Sequence, residues 1–181
     1  MRRLFRIGGS RQAVLLVVAV PLLCATGCRQ SEPDLPAGAH AIEMVVLKGT
    51  RGETLALVPV YIEGRGPFAF ALDTGASRSV VDSRIAAELG LSAAGGEIEV
   101  SGVGGRTVAR PVRVVSWRVG DIDIPTSTLD ALEPSGGDGK TGLQGLLGSD
   151  TLSRFQVIRV DYKNGRLVFH PGPSGRLEAR P

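Results

Sequence analysis

"FALDTGAS", Phe70 to Ser77, places an Asp-Thr-Gly at the end of one apolar run and just before another, "SVV" from Ser79 to Val81. Apolar residues on both sides predict a strand, a tight turn of small residues and a second strand. At average residue frequencies such a tripeptide arises in a chain of this length with a probability of about 4%. Its placement therefore says more than its occurrence. Gly75 lets backbone approach a carboxylate closely, and Thr74 offers a hydroxyl to a neighbouring segment. The chain has one Asp-Thr-Gly and no Asp-Ser-Gly. A single carboxylate cannot divide acid and base roles with itself, which raises the question of what a lone Asp73 does.

Working outward, the flanks read as short strands joined by glycine turns, the mark of an all-β protein of 181 residues with 25 glycines and few aromatics. "AIEMVVL" from Ala41 and "TLALVPVYIE" from Thr54 are strand-like, with Pro59 restricted to an edge or a bulge. "EGRGP", Glu63 to Pro67, predicts a hairpin loop feeding the strand that ends at Asp73. After it, "DSRIAAELGL" predicts a short helix, with Asp82 as N-cap, Ile85 and Leu89 on one face and Gly90 past the end. "EIEVSGV", Glu97 to Val103, crosses a glycine tip at Gly104 and Gly105 and returns through Thr107 to Val119 as a long hairpin. "DIDIPTSTLDAL" continues the strands. The last block predicts an apolar strand, a helix of one or two turns near Asp150 to Phe155, and a hairpin through Asn164-Gly165.

The N-terminus is of another kind. Arg2, Arg3, Arg6 and Arg11 precede an uncharged stretch whose apolar part, Ala13 to Cys24, is shorter than the roughly 20 residues that cross a bilayer. Residues 1–27 read as a signal peptide. "ATGC", Ala25 to Cys28, resembles a bacterial lipobox with Cys28 as the lipidated residue, and the same small residues suit an ordinary signal peptidase. An exported domain in the bacterial cell envelope is expected, lipid-anchored through Cys28 and facing the periplasm, or else soluble in the periplasm or secreted. Removing the four arginines leaves 17 basic against 18 acidic residues, so nothing suggests a nucleic-acid partner. Residues 28–40 read as a flexible linker, 41–171 as the folded domain and 172–181 as a disordered tail.

Other chemistry is excluded on residue grounds. "GGDGKTG" lacks the first glycine of a phosphate-binding loop, Pro134 standing in its place. His40 and His170 have no cluster of ligands at metal spacing, so neither a metal nor a cofactor is expected. Trp117 reads as core or edge anchor. Asp82, Glu88 and Asp150 read as caps and surface charge.

Three segments in order, "FALDTGAS", "VSGVGGRTV" and "GLLGSDTLSRF", resemble the retropepsin-like aspartyl proteases, over roughly Leu55 to Phe169. The resemblance implies an acid-protease barrel with one or two short helices, and a homodimer in which Asp73 of each subunit helps to activate one water against a peptide or protein substrate. It assigns Thr74, Gly75 and Ala76 to support of the active-site loop. It makes Gly102, Val103, Gly104 and Gly105 a flap, and Leu146, Leu147 and Gly148 a strand that buttresses the loop. Retroviral members have Asp where Ser77 stands and Arg where Ser149 stands, so the tie those residues make is missing here. Ala76 replaces a Ser or Thr of pepsin-type enzymes and removes a hydroxyl donor. The rival expectation is an envelope lipoprotein that keeps the barrel as a peptide-binding or structural module without hydrolysis.

Overall fold

The computed structural model describes residues 35, 38–102, 105–133 and 142–171, all in the unit that begins at Asp34. The signal peptide, Cys28, most of the linker and the tail lie outside the described residues. So do Val103, Gly104 and residues 134–141. Among the described residues there are thirteen strands and two short helices, and no helix long and apolar enough to cross a membrane.

The strands are β1 (His40–Glu43), β2 (Val45–Lys48), β3 (Thr54–Ile62), β4 (Arg65–Leu72), β5 (Val80–Asp82), β6 (Ile98–Gly102) and β7 (Gly105–Val114). They continue with β8 (Trp117–Val119), β9 (Ile122–Ile124), β10 (Ser127–Leu132), β11 (Gly145–Leu147), β12 (Phe155–Asp161) and β13 (Arg166–Pro171). The helices are α1 (Ser83–Glu88) and α2 (Ser149–Leu152). The class is all-β, as the sequence implies. The ten-stranded sheet runs β6-β7-β10-β5-β11-β4-β3-β8-β9, with β2 added to β3, and does not close into a barrel; β1, β13 and β12 form a second sheet.

Local chemistry explains most element ends. Glu63 and Gly64 join β3 to β4 with φ of 49° and 75°, a two-residue turn of the kind favoured between twisted strands. The strand therefore starts at Arg65, inside the segment expected to be loop. Pro59 faces Ala69 in β4, and lies between the stretch of β3 that pairs β2 and the stretch that pairs β8. Its missing N–H is thus not required by a neighbour on that side. Asp82 caps α1 by accepting from the Arg84 N–H at 2.8 Å, and Gly90 follows in the left-handed region.

Three expectations shift. "AIEMVVL" is two strands in two sheets, divided at Met44, whose N–H bonds to Gly165 O at 2.8 Å. The strand returning from the glycine tip stops at Val114, because the Glu63 carboxylate accepts from Val115 N and Ser116 N and turns the chain. β8 then pairs β3 instead of continuing along β10. The β12–β13 hairpin has four residues outside the ladder, Tyr162 to Gly165, with Asp161 accepting from Asn164 N and Nδ2.

The core is aliphatic: Val58, Val60, Ile62, Phe70, Val81 and Leu147 are almost fully buried at the centre of the large sheet. Each such side chain contributes roughly 1.5–3 kcal/mol by leaving water. Trp117 is 2% exposed, and its indole N–H finds Pro125 O at 3.1 Å, which a buried indole requires. With no intrachain disulfide available to the described residues, this burial carries the fold.

Candidate active site

β4 and β5 follow one another in sequence but do not pair. β11 enters between them, parallel to β4 through Gly145↔Phe70, Leu146↔Ala71 and Leu147↔Leu72, and antiparallel to β5. The chain leaving β4 must therefore pass the end of β11 to reach β5. Residues 73–79 make that passage, and the Asp-Thr-Gly lies in it.

The Asp73 carboxylate is oriented by its own loop. Oδ1 accepts from Gly75 N at 2.9 Å and from Ala76 N at 3.2 Å, while Ala76 N also approaches Asp73 O at 3.3 Å. A Cβ on Gly75 would lie 3.3 Å from that same Oδ1, closer than side-chain carbons ordinarily rest. Asp73 is half-buried and Thr74 and Gly75 are exposed. Among the described residues no second carboxylate hydrogen-bonds to Asp73, and the Thr74 hydroxyl has no partner.

The loop rests on β11 and the first turn of α2. Asp73 N donates to Leu147 O at 3.1 Å, and Ser149 N donates to Ala76 O at 2.8 Å. Between these, Gly148 N donates to the Ser79 hydroxyl at 3.0 Å, across 69 positions of sequence. Gly148 crosses the loop backbone to backbone: a Cβ there would lie 2.5 Å from the Arg78 carbonyl carbon and 2.9 Å from Ser79 N. Its φ of −92° is open to any residue, so contact, not conformation, requires glycine. Gly145 is held likewise, with Val80 O 2.5 Å from the position of a Cβ. The structure thus brings Asp73, Gly75 and Ala76 against Leu147 and Gly148. Leu146, half-buried, faces Ala71 and Val80.

Ser77 and Ser149 make no side-chain tie among the described residues. Charged groups one position away and hydroxyl groups two positions away make ties of their own. Arg78 Nε and Nη2 bond both oxygens of Asp130 at 2.6 and 2.8 Å. The Asp130 side chain is 2% exposed and that of Arg78 43%. These bonds to Asp130 raise the Arg78 pKa above its ordinary value, with Asp150 adding to the field. Buried Ser79 donates to Asp150 Oδ1 at 2.7 Å and lies 2.9 Å from the Thr151 hydroxyl. Asp150 is therefore more than surface charge: it accepts from Ser79 and from Thr151 N, at 2.8 Å. The polarity of Asp130 between Leu129 and Ala131 was the visible sign of this pairing, since a lone acid in an apolar strand needs a cation.

The remaining predicted residues fall at the edges. Gly102 pairs Gly105 at the last described rung of the β6–β7 hairpin, and Gly105 has φ of 104°, open to glycine and rarely to others. Val103, Gly104 and Cys28 lie outside the described residues. No group of three or more His, Cys, Asp or Glu could hold a metal among the described residues. A cavity of about 640 Å³ sits apart from Asp73, between α1 and β7, lined by residues that include Ala86, Leu91, Val108 and Arg110.

This arrangement, a carboxylate held by the N–H groups of a small-residue turn and braced on an apolar-apolar-Gly strand, presents an oriented acid on a partly exposed loop. A model of the aspartyl protease family matches residues 58–151, more than half of the chain. The chain belongs to the aspartyl protease family. It is similar to a retropepsin-like aspartic protease from Rickettsia conorii, with 20% identity over 72% of this chain and 92% of that one, at a TM-score of 0.46. It is similar also to the retroviral protease-like domain of Ddi1 from Leishmania major, with 20% identity over 66% and 97% of the two chains, at a TM-score of 0.40. Comparison with curated proteins gives no match.

Proposed function

We propose that the chain is a retropepsin-like aspartic endopeptidase, active as a homodimer with one Asp73 from each subunit. The observation that carries this is the Asp73 carboxylate itself, fixed by Gly75 N and Ala76 N on a half-exposed loop. Family membership supports hydrolysis of peptides, and the single Asp-Thr-Gly in the chain supports assembly by twos.

In the pair, two carboxylates about 3 Å apart share one proton, because like charges so close do not both ionise. The ionised one takes a proton from water, and the water oxygen attacks the peptide carbonyl carbon. The protonated one donates to the carbonyl oxygen as negative charge builds there. Collapse breaks the C–N bond, with a proton passing to the leaving nitrogen. The β6–β7 hairpin acts as the flap and closes over an extended substrate whose backbone pairs like a strand. Thr74, exposed at the loop, reaches the partner's loop, and the half-buried Val80 and Leu146 give the adjoining surface an apolar character.

The signal-like N-terminus and lipobox-like Cys28 support a location in the bacterial cell envelope, exported and lipid-anchored, the alternative being a domain soluble in the periplasm or secreted. Confinement to a membrane raises the effective concentration of subunits and favours a pair that is weak in solution. The test is incubation of the purified chain with a mixed peptide library at about pH 3 to 8, beside Asp73→Asn, read by mass spectrometry. The endopeptidase reading expects cleavage inside peptides that the substitution abolishes. Equal products from both proteins, or binding without products, would instead favour the non-catalytic envelope module.

A further inference from the structure

Ser79 is 1% exposed and Thr151 2%, and neither belongs to the Asp-Thr-Gly. A hydroxyl has one proton to give and two lone pairs to accept with. Gly148 N–H fills one lone pair of Ser79 Oγ at 3.0 Å. Asp150 Oδ1, at 2.7 Å, receives the proton when the carboxylate is ionised and has none to give. The Thr151 hydroxyl, at 2.9 Å, then donates into the second lone pair. The Ser79 hydroxyl is fully used, and each of its three partners lies on residues 148, 150 and 151. Through Gly148 it is joined to the two bonds that hold the Asp73 loop, Asp73 N to Leu147 O and Ser149 N to Ala76 O.

We propose that Ser79, held by Asp150 and Thr151, is a positioning residue for Asp73. It locks the segment 147–149 to the far end of the loop, so that the carboxylate is oriented within a single subunit before any partner arrives. In this chain the hydroxyl network does what a charged pair at positions 77 and 149 would do. The inference rests on Asp73 being the catalytic carboxylate. The Ser79 hydroxyl is buried and fully used by these three partners, so it acts through the backbone it holds. Without it, Gly148 N–H is buried with no acceptor and Thr151 loses its partner, so the crossing relaxes. A displacement of about 1 Å at a reacting group can cost on the order of 100-fold in rate.

The experiment compares the full chain with Ser79→Ala, Asp150→Ala and Asp150→Asn. Steady-state kinetics are measured well below each melting temperature, and amide hydrogen exchange is followed at Asp73 and Ser149. In folded Ser79→Ala, kcat is expected to fall on the order of 10- to 100-fold with KM within about twofold. The two amides should exchange roughly tenfold faster or more. Asp150→Ala, half-exposed and safer to fold, should show the same signature in weaker form. Asp150→Asn keeps an oxygen for Ser79 and Thr151 N, and should recover most of that loss. A merely stabilising network would lower the melting temperature and leave kcat and both amides alone, which overturns the inference. If the wild-type chain cleaves nothing, the endopeptidase reading fails by itself, and exchange still decides: unchanged protection at Asp73 and Ser149 in Ser79→Ala overturns the positioning role.

Discussion

Gly148→Ala isolates the crossing on which the site is built. The backbone at Gly148 is extended, with φ −92° and ψ 177°, so alanine is conformationally acceptable and the whole effect is steric. The new methyl would lie 2.5 Å from the Arg78 carbonyl carbon and 2.6 Å from its oxygen, about 1 Å short of the roughly 3.5 Å at which such atoms rest. Both are backbone atoms, so no side-chain rotation relieves the contact. The loop or β11 must move by most of that ångström. Overpacking of this kind costs about 1–3 kcal/mol, and the lack of a flexible neighbour argues for the upper end. For a domain of this size that lowers the melting temperature by about 10 °C. Gly95→Ala is the control, since its methyl meets nothing within 4 Å and its φ is not positive; it should stay within about 0.5 kcal/mol. The assay is thermal unfolding by circular dichroism, with peptide cleavage on the folded fraction. A Gly148→Ala chain that melts within a degree of wild type and cleaves at the same rate would refute the reasoning.

Other outcomes follow from single contacts. Arg78→Ala leaves the buried Asp130 carboxylate without its cation and should cost about 2–4 kcal/mol in urea unfolding, the half-exposed arginine keeping the loss below that of a fully buried pair; a loss under 0.5 kcal/mol would show Asp130 finding another partner. Hydrogen bonds from the Arg84 side chain, and then from its backbone N–H, hold the Asp82 carboxyl below its ordinary value of 3.8. Asp82 therefore adds stability that is fully present above that value and is lost as pH falls through the lower folded-state pKa. Asp82→Asn should be less stable than wild type at pH near 6, with the gap shrinking below about pH 4; a gap constant down to about pH 2 would contradict this. Trp117→Phe loses the bond to Pro125 O and some packing, and should cost about 1–2 kcal/mol, read from the same unfolding curves; no measurable loss would mean that the carbonyl is re-solvated.

Much of the fold was legible because its signals are local. The turn of Asp73 to Ala76, the Asp82 cap, the Gly90 stop and the apolar run at Leu146 and Leu147 each depend on residues within a few positions. What escaped reading depends on distant pairing. Val115 and Ser116 look like a continuing strand, and only Glu63, 52 positions earlier, bends them away. Met44 sits inside an unbroken apolar run, yet Gly165 O draws it out between two sheets. Asp150 carries an acid's usual helix-start signature, and only the fold shows Ser79 beneath it. The proposed site was read from its tripeptide, whereas the groups that brace the loop, Ser79, Thr151, Arg78 and Asp130, carry no motif and become related only where β11 enters between β4 and β5.

The most direct test mixes wild-type chain with Asp73→Asn at fixed total concentration, allows subunits to exchange, and follows cleavage of one peptide as the wild-type fraction falls. If each active unit needs an Asp73 from two copies, the rate declines as the square of that fraction, to about a quarter at an even mixture. A rate that declines in straight proportion, to one half at the even mixture, would mean that a single subunit does the chemistry alone.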